Sequence, residues 1–221
     1  MKDISDSLTS LLEDLQSDDE FSHSQAAFTL AMYGEPAVKP LIELLEHHSP
    51  DVRMRAAWAL GVMGTAALPM LLELAEGNNQ HLRIEAIRIL GVIGEGRSIK
   101  QLLQGLTDPN PKVAARAARA IGKIGDPRAY HPLLTALQHP VADVRFEACR
   151  ALESLRIPEA TSYLLELAER DNEHTSWGAA VAEVARRAAN EVKNSESNLL
   201  DEEFERIARL IHRQEEQLAV G

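Results

Sequence analysis

Apolar and small residues return along this chain at the spacing of a helix, block after block, with polar residues on the opposite side. In one block Val52, Ala56, Ala59, Leu60 and Met63 fall on a single stripe. The blocks themselves recur. Leu30, Leu60, Leu90, Ile121 and Leu152 are separated by 30, 30, 31 and 31 residues, and Gly34, Gly64, Gly94 and Gly125 keep the same steps. The clearest copies run from Asp51 to Gly64 (DVRMRAAWALGVMG) and from Lys112 to Gly125 (KVAARAARAIGKIG). A second apolar segment follows each block: AVKPLIELL, ALPMLLELA, SIKQLLQGL, AYHPLLTAL and ATSYLLELA. A fixed period of this length predicts a helix–turn–helix unit repeated about five times, so the expected fold is an all-α solenoid.

Gly64, Gly94 and Gly125 stand where a helix would end in a left-handed cap, and Asp126 with Pro127 marks a turn. Gly61, Gly91 and Gly122 lie three residues earlier, inside the helix, where glycine costs about 1 kcal/mol relative to alanine. Close approach of a neighbouring helix is the reason expected for them. The pattern divides the chain into a capping helix over 1–20, repeats over 21–172, a degenerate last-repeat helix over 173–193, a polar break at 194–198 and an amphipathic helix over 199–218. In the first of these, Ile4, Leu8, Leu11, Leu12 and Leu15 make the apolar stripe; in the last, Leu200, Phe204, Ile207 and Ile211 do. The last helix reads as a cap, or as a docking surface for a partner or for a second copy in a homo-oligomer.

Composition supports helices over sheets. Hydrophobic residues are 45% of the chain and charged residues 26%, while aromatic residues are only 4% and Ala and Leu dominate the periodic segments. Cys149 is the sole cysteine, which excludes an internal disulfide and a thiolate-rich metal site. It stands where the other blocks have Ala57 and Ala118, and so reads as a small core residue. The acidic first residues lack the apolar run of a signal peptide, and no stretch has the length to span a bilayer. A cytoplasmic protein without a membrane partner is expected.

The net charge of −11 belongs to the ends: residues 1–20 carry −6 and residues 191–221 carry −4. Residues 83–128 hold nine Lys or Arg against four acids, a local surplus of positive charge.

The Asp-Val-Arg start, double Ala and Leu-Gly-x-Ile-Gly ending resemble the HEAT-like repeats of the phycobilisome-lyase type, over roughly residues 20–170. The end repeats depart from the pattern: Ser22 and His23 replace Val and Arg, and Arg156 replaces the capping glycine. The resemblance implies that the Asp-Val-Arg helix lines a concave side. Its outward positions then form three columns: Ser24, Met54, Ile84, Ala115, Phe146; Gln25, Arg55, Glu85, Arg116, Glu147; and Phe28, Trp58, Arg88, Arg119, Arg150. Phe28, Met32, Met54, Trp58 and Val62 would cluster as an apolar patch. Arg88, Arg119 and Arg150 would follow as a ladder suited to carboxylates or phosphates, flanked by Arg116, Glu85 and Glu147. The alternative is that the two glutamates neutralise those arginines in a surface network.

The reading taken is a non-catalytic scaffold, with no cofactor or metal, that binds another protein through an acidic or amphipathic segment. Its contact residues are Phe28, Met54, Trp58, Glu85, Arg88, Arg116, Arg119, Phe146 and Arg150. Arg53, Arg83 and Arg145 occupy the repeat's own Arg position and are expected to pair with neighbouring turns. His47 and His48, adjacent in a loop, lack further ligands at metal spacing. Deoxyhypusine hydroxylase-like relatives hold two irons with inner His-Glu pairs; the pairs here are Met54-Arg55, Ile84-Glu85, Ala115-Arg116 and Phe146-Glu147, none with histidine. A bilin lyase or chromophore-handling protein is the alternative, its arginines meeting propionates while Trp58 and Phe146 pack on the rings. Nucleic-acid binding ranks last, because the acidic ends repel phosphates.

Overall fold

The computed structural model describes residues 4–195, and the amphipathic segment expected over 199–218 lies outside them. A first helix, α1 (Ile4–Leu15), is followed by helix pairs. The first helices of the pairs are α2 (Glu20–Tyr33), α4 (Pro50–Met63), α6 (Gln80–Ile93), α8 (Pro111–Ile124) and α10 (Ala142–Leu155). The second helices are α3 (Glu35–Glu43), α5 (Leu68–Glu76), α7 (Ile99–Gly105), α9 (Tyr130–Ala136) and α11 (Ala160–Arg170). A further helix, α12, occupies residues 181–195. The chain is therefore an all-α solenoid whose first and second helices form two layers.

Local chemistry starts most of the first helices. The Asp19 side chain accepts from the Ser22 N–H, Asn79 accepts from His81 and Leu82, and Asn110 accepts from Lys112. Pro50 and Pro111 occupy the first turns of α4 and α8, where their missing N–H is of no consequence. Gly94 and Gly125 end α6 and α8 in the left-handed conformation. Gly64 departs from that expectation: its φ of 58° comes with a ψ of −119°, because the chain turns straight into a short 3-10 segment (Gly64–Ala66). Arg156 takes the left-handed cap of α10 with a side chain present.

One strip of buried apolar residues runs between the layers from Leu15 to Val192. The first layer is the tighter. A Cβ added to Gly91 would lie 2.6 Å from Ala120 Cβ, and one on Gly122 would lie 2.9 Å from Ala151 Cα. The interior glycines are thus what lets α6, α8 and α10 approach backbone to backbone.

The repeat arginines tie one turn to the next. Arg53, Arg83 and Arg145 each donate to two carbonyls of the loop just before their own helix: His47 and His48, Gly77 and Asn78, His139 and Pro140. Arg83 also pairs with Asp108 at 2.9 Å and Arg145 with Asp171 at 2.6 Å, each acid lying in the loop before the next first helix. Arg55 performs a different service, donating at 3.0 Å to the carbonyls of both Leu15 and Ser17 and so fastening the end of α1 to α4.

The C-terminal organisation differs from the expected helix over 173–193. Helix α12 begins only at residue 181, and residues 194 and 195 of the expected polar break are still helical. Residues 171–180 form a tight loop instead. Thr175 is buried and bonds to Gly178 and Ala179, while the Ser176 N–H and hydroxyl both donate to the Asp143 carboxylate at 2.6 and 2.7 Å. Six polar residues in a row, Asp171 to Ser176, lack the apolar stripe that would hold a helix against the core.

Candidate functional site

The outward positions of the first helices carry the large exposed apolar side chains of this surface. Phe28 and Met32 on α2, Met54, Trp58 and Val62 on α4, and Val92 on α6 are all about half exposed or more. Each sits one turn from the next on its helix, on the side opposite buried Ala26, Leu30, Ala56 and Leu60. Val92 rests over Gly61, where a Cβ would stand 3.2 Å from its Cγ1, so the strip is continuous from α4 to α6. Beside it a groove of about 660 Å³ lies between the α1–α2 turn and α4, lined by Asp18, His23, Ser24, Met54, Arg55 and Trp58.

Further along, the charged columns resolve into pairs. Arg88 binds Glu85 on its own helix at 2.6 Å. Arg119 on α8 forms a short contact with Oε1 of Glu147 on α10, and Arg150 approaches Oε2 of the same carboxylate at 3.8 Å. Glu147 is 1% exposed, and its Oε2 accepts no hydrogen bond among the described residues. A carboxylate buried this deeply requires opposite charge beside it, which Arg119 supplies. The hydrogen bond to Glu147 in turn raises the Arg119 pKa against the opposing effect of burial. The expected ladder is therefore neutralised from within by the two glutamates that flank it.

Arg116 behaves differently. It is half-buried, and no hydrogen bond or ion pair engages it among the described residues. Burial lowers its pKa; the Glu85 charge opposes this, and those of Arg88 and Arg119 add to it. It lines a pocket of about 250 Å³ between α8, α10 and the loop 171–180, with Arg119, Glu147, Ser176 and Trp177. Phe146, expected as an exposed contact, is half-buried against the core and meets Trp177 edge-on at 5.5 Å. Trp177 was not among the expected residues. Its one sequence signal was a lone tryptophan before Gly178 in an otherwise polar stretch.

Cys149 is fully buried and its thiol is pushed up to about 12, chiefly by burial, so it is an inert core group. Among the described residues no single helix is long and apolar enough to cross a membrane.

A two-layered helix-pair solenoid with an open, mixed apolar and cationic face belongs to the class of repeat proteins, whose exposed surface varies while the repeat is kept. The family model of HEAT repeats matches residues 5–91 and 99–185, and the chain belongs to that family. No curated relative matches its sequence. Among solved structures it is similar to a chain in the structure of the complex of CpcE and CpcF of phycocyanin lyase from Nostoc sp. PCC7120, with 25% identity and a TM-score of 0.61 over 70% of this chain and 98% of that one. An engineered protein is 27% identical, with a TM-score of 0.51 over 85% of this chain and 98% of that one. YibA of E. coli, 18% identical with a TM-score of 0.51, covers 86% of this chain and 68% of its own, and shares the fold alone.

Proposed function

We propose that the protein is a non-catalytic scaffold that binds another protein along the face of its first helices. The observation that carries this reading is the apolar strip of Phe28, Met32, Met54, Trp58, Val62 and Val92 left in contact with solvent on three adjoining helices. Isolated exposed apolar residues mean little, but adjoining rows with an aromatic centre mark interaction surfaces. The tighter packing of the first layer supports its being the inner, concave side, since the closer layer of an arc lies inside the bend. CpcE and CpcF, similar in structure, form a complex with one another, which supports a protein partner. The acidic rim at Asp18, Glu20 and Asp51 and the Arg116 guanidinium, without a hydrogen bond or ion pair among the described residues, suit an amphipathic segment.

The test is affinity capture with the intact protein and with Trp58→Ala combined with Met54→Ala, after confirming equal melting temperatures. Partners lost by the double variant support the reading; recovery of the same partners in equal amounts removes it.

The second reading is bilin handling, supported by the likeness to a phycocyanin lyase chain and by the Phe146–Trp177 pair beside Arg116. A bilin mixed with the protein would then change its visible absorption. A spectrum identical to that of free pigment sinks this reading.

A further inference from the structure

We infer that Arg116 reads one acidic side chain of the protein partner, in an extended segment whose apolar residue rests on Trp58. This deepens the scaffold reading and rests on it.

The face offers several cations, but they are not equivalent. Arg88 and Arg119 are held in ion pairs and Arg150 stands beside the same buried Glu147, whereas Arg116 makes no hydrogen bond or ion pair among the described residues, feels the Glu85 charge without contact, and is partly stripped of water. A guanidinium in that state gains most from a carboxylate that arrives with matching bidentate geometry. The charge of its pocket calls for an anion. The lining holds Lys112, Arg116 and Arg119 against Asp143 and Glu147, and Arg150 approaches Glu147 from the side, so the site is net cationic. A side-chain carboxylate of the partner answers the Arg116 charge, while the fixed Asp143 and Glu147 disfavour a denser anion such as phosphate. The half-exposed Trp177 ring forms an apolar wall for the methylenes of that side chain.

Position sets the spacing. Arg116 on α8 and Trp58 on α4 are separated by α6, and packed helices lie about 9 Å apart, so the two sites stand about 18 Å from each other. An extended chain rises about 3.3 Å per residue, which places the acidic residue about six positions from the apolar one. A helical segment would need about twelve positions for the same span.

The protein has one tryptophan in each pocket, so two indole N–H resonances of the labelled intact chain report the two ends separately. The probes are a capped heptapeptide, LSGSGSE, its glutamine counterpart LSGSGSQ, versions with the acid about three and about twelve positions from the leucine, and inorganic phosphate. The acidic heptapeptide is expected to move both signals together, and the glutamine peptide to move Trp58 alone and bind about tenfold more weakly. Arg116→Gln should abolish the difference between them.

Equal binding of the two heptapeptides, persistence of the acid preference in Arg116→Gln, an optimum near twelve positions, or phosphate occupying the Trp177 pocket as tightly would each overturn the inference. Because the peptide comparison is made on the unaltered protein, it stands even where the variant folds poorly. A Trp58 shift with no acid preference removes this inference alone; silence at both indoles removes the scaffold reading with it.

Discussion

Gly91 on α6 and Ala120 on α8 face each other so closely that a methyl group on the glycine would stand 2.6 Å from the alanine Cβ. No flexible side chain intervenes, and Ala120 Cα itself is 3.0 Å away, so relief requires the helices to move apart. Gly91→Ala gains about 1 kcal/mol of helix propensity but incurs an overpacking cost of about 1–3 kcal/mol. Contact with backbone atoms puts the cost in the upper part of that range, so the expected result is a net loss of about 1–2 kcal/mol, read as a lower urea midpoint. Gly61→Ala is the control: its new methyl meets only the exposed Val92 side chain at 3.2 Å, which can yield, and stability should change little or rise. A Gly91→Ala protein as stable as the parent would contradict the account of the tight layer.

The Arg145–Asp171 pair predicts an acid sensitivity. Burial by itself pushes the Asp171 carboxyl up, but hydrogen bonds from Arg145 and the Glu173 N–H, with the charges of Arg145 and Arg170, outweigh it and hold the pKa below the ordinary value. A carboxylate depressed on folding stabilises the protein above its unfolded pKa of about 3.9 and loses that contribution as the pH falls through the folded value. Asp171→Asn should therefore cost about 2 kcal/mol at neutral pH. The gap between variant and parent in urea melts should narrow below about pH 4. A gap that stayed constant there would show that the charge is not what Asp171 contributes.

Arg156 closes α10 with φ 52° and ψ 38°, a conformation in which a side chain costs about 1 kcal/mol. Its N–H donates to the Leu152 carbonyl, as a glycine's would, but its side chain makes no hydrogen bond or ion pair among the described residues that would repay this, and it is exposed. Arg156→Gly, restoring the residue found at Gly94 and Gly125, should raise stability by about 0.5–1 kcal/mol in thermal melts. An unchanged or lower melting temperature would count against strain at this cap.

Arg55 is expected to act through the first helix rather than through a partner. Its guanidinium holds the carbonyls at the end of α1, while Leu15 fills the core beneath. In Arg55→Ala, hydrogen exchange of the α1 amides should speed by about tenfold, for a loss of about 1.4 kcal/mol, with α8 and α10 unaffected. Uniform acceleration across all helices would mean that α1 and the repeats open as one unit.

Much of the fold was legible because a solenoid is built from local rules repeated. The period of 30–31 residues, the apolar stripe on each helix and the cap residues all act within a helix pair, so they leave a direct record along the chain. The interior glycines were legible for the same reason: their cost inside a helix implies a close neighbour. The expected apolar patch at Phe28, Met54 and Trp58 is exposed as its positions suggested. The arginine columns were legible as positions but not as interactions. Nothing in the order of residues says that Glu147, on a different helix, would be buried against Arg119 while Arg116 one turn earlier makes no ion pair among the described residues. Nor does it say that Asp143 would anchor Ser176 and carry Trp177 to the edge of Phe146.

The sequence by itself thus determined the repeat, its helices and the side of each helix that faces the core, because those follow from periodicity and burial within a single unit. Only the tertiary structure decided which cations of the face are paired among the described residues, which carboxylate is buried and which loop walls the pocket. Those outcomes depend on distances between side chains of different repeats, where a few ångströms separate a neutralised pair from an open site.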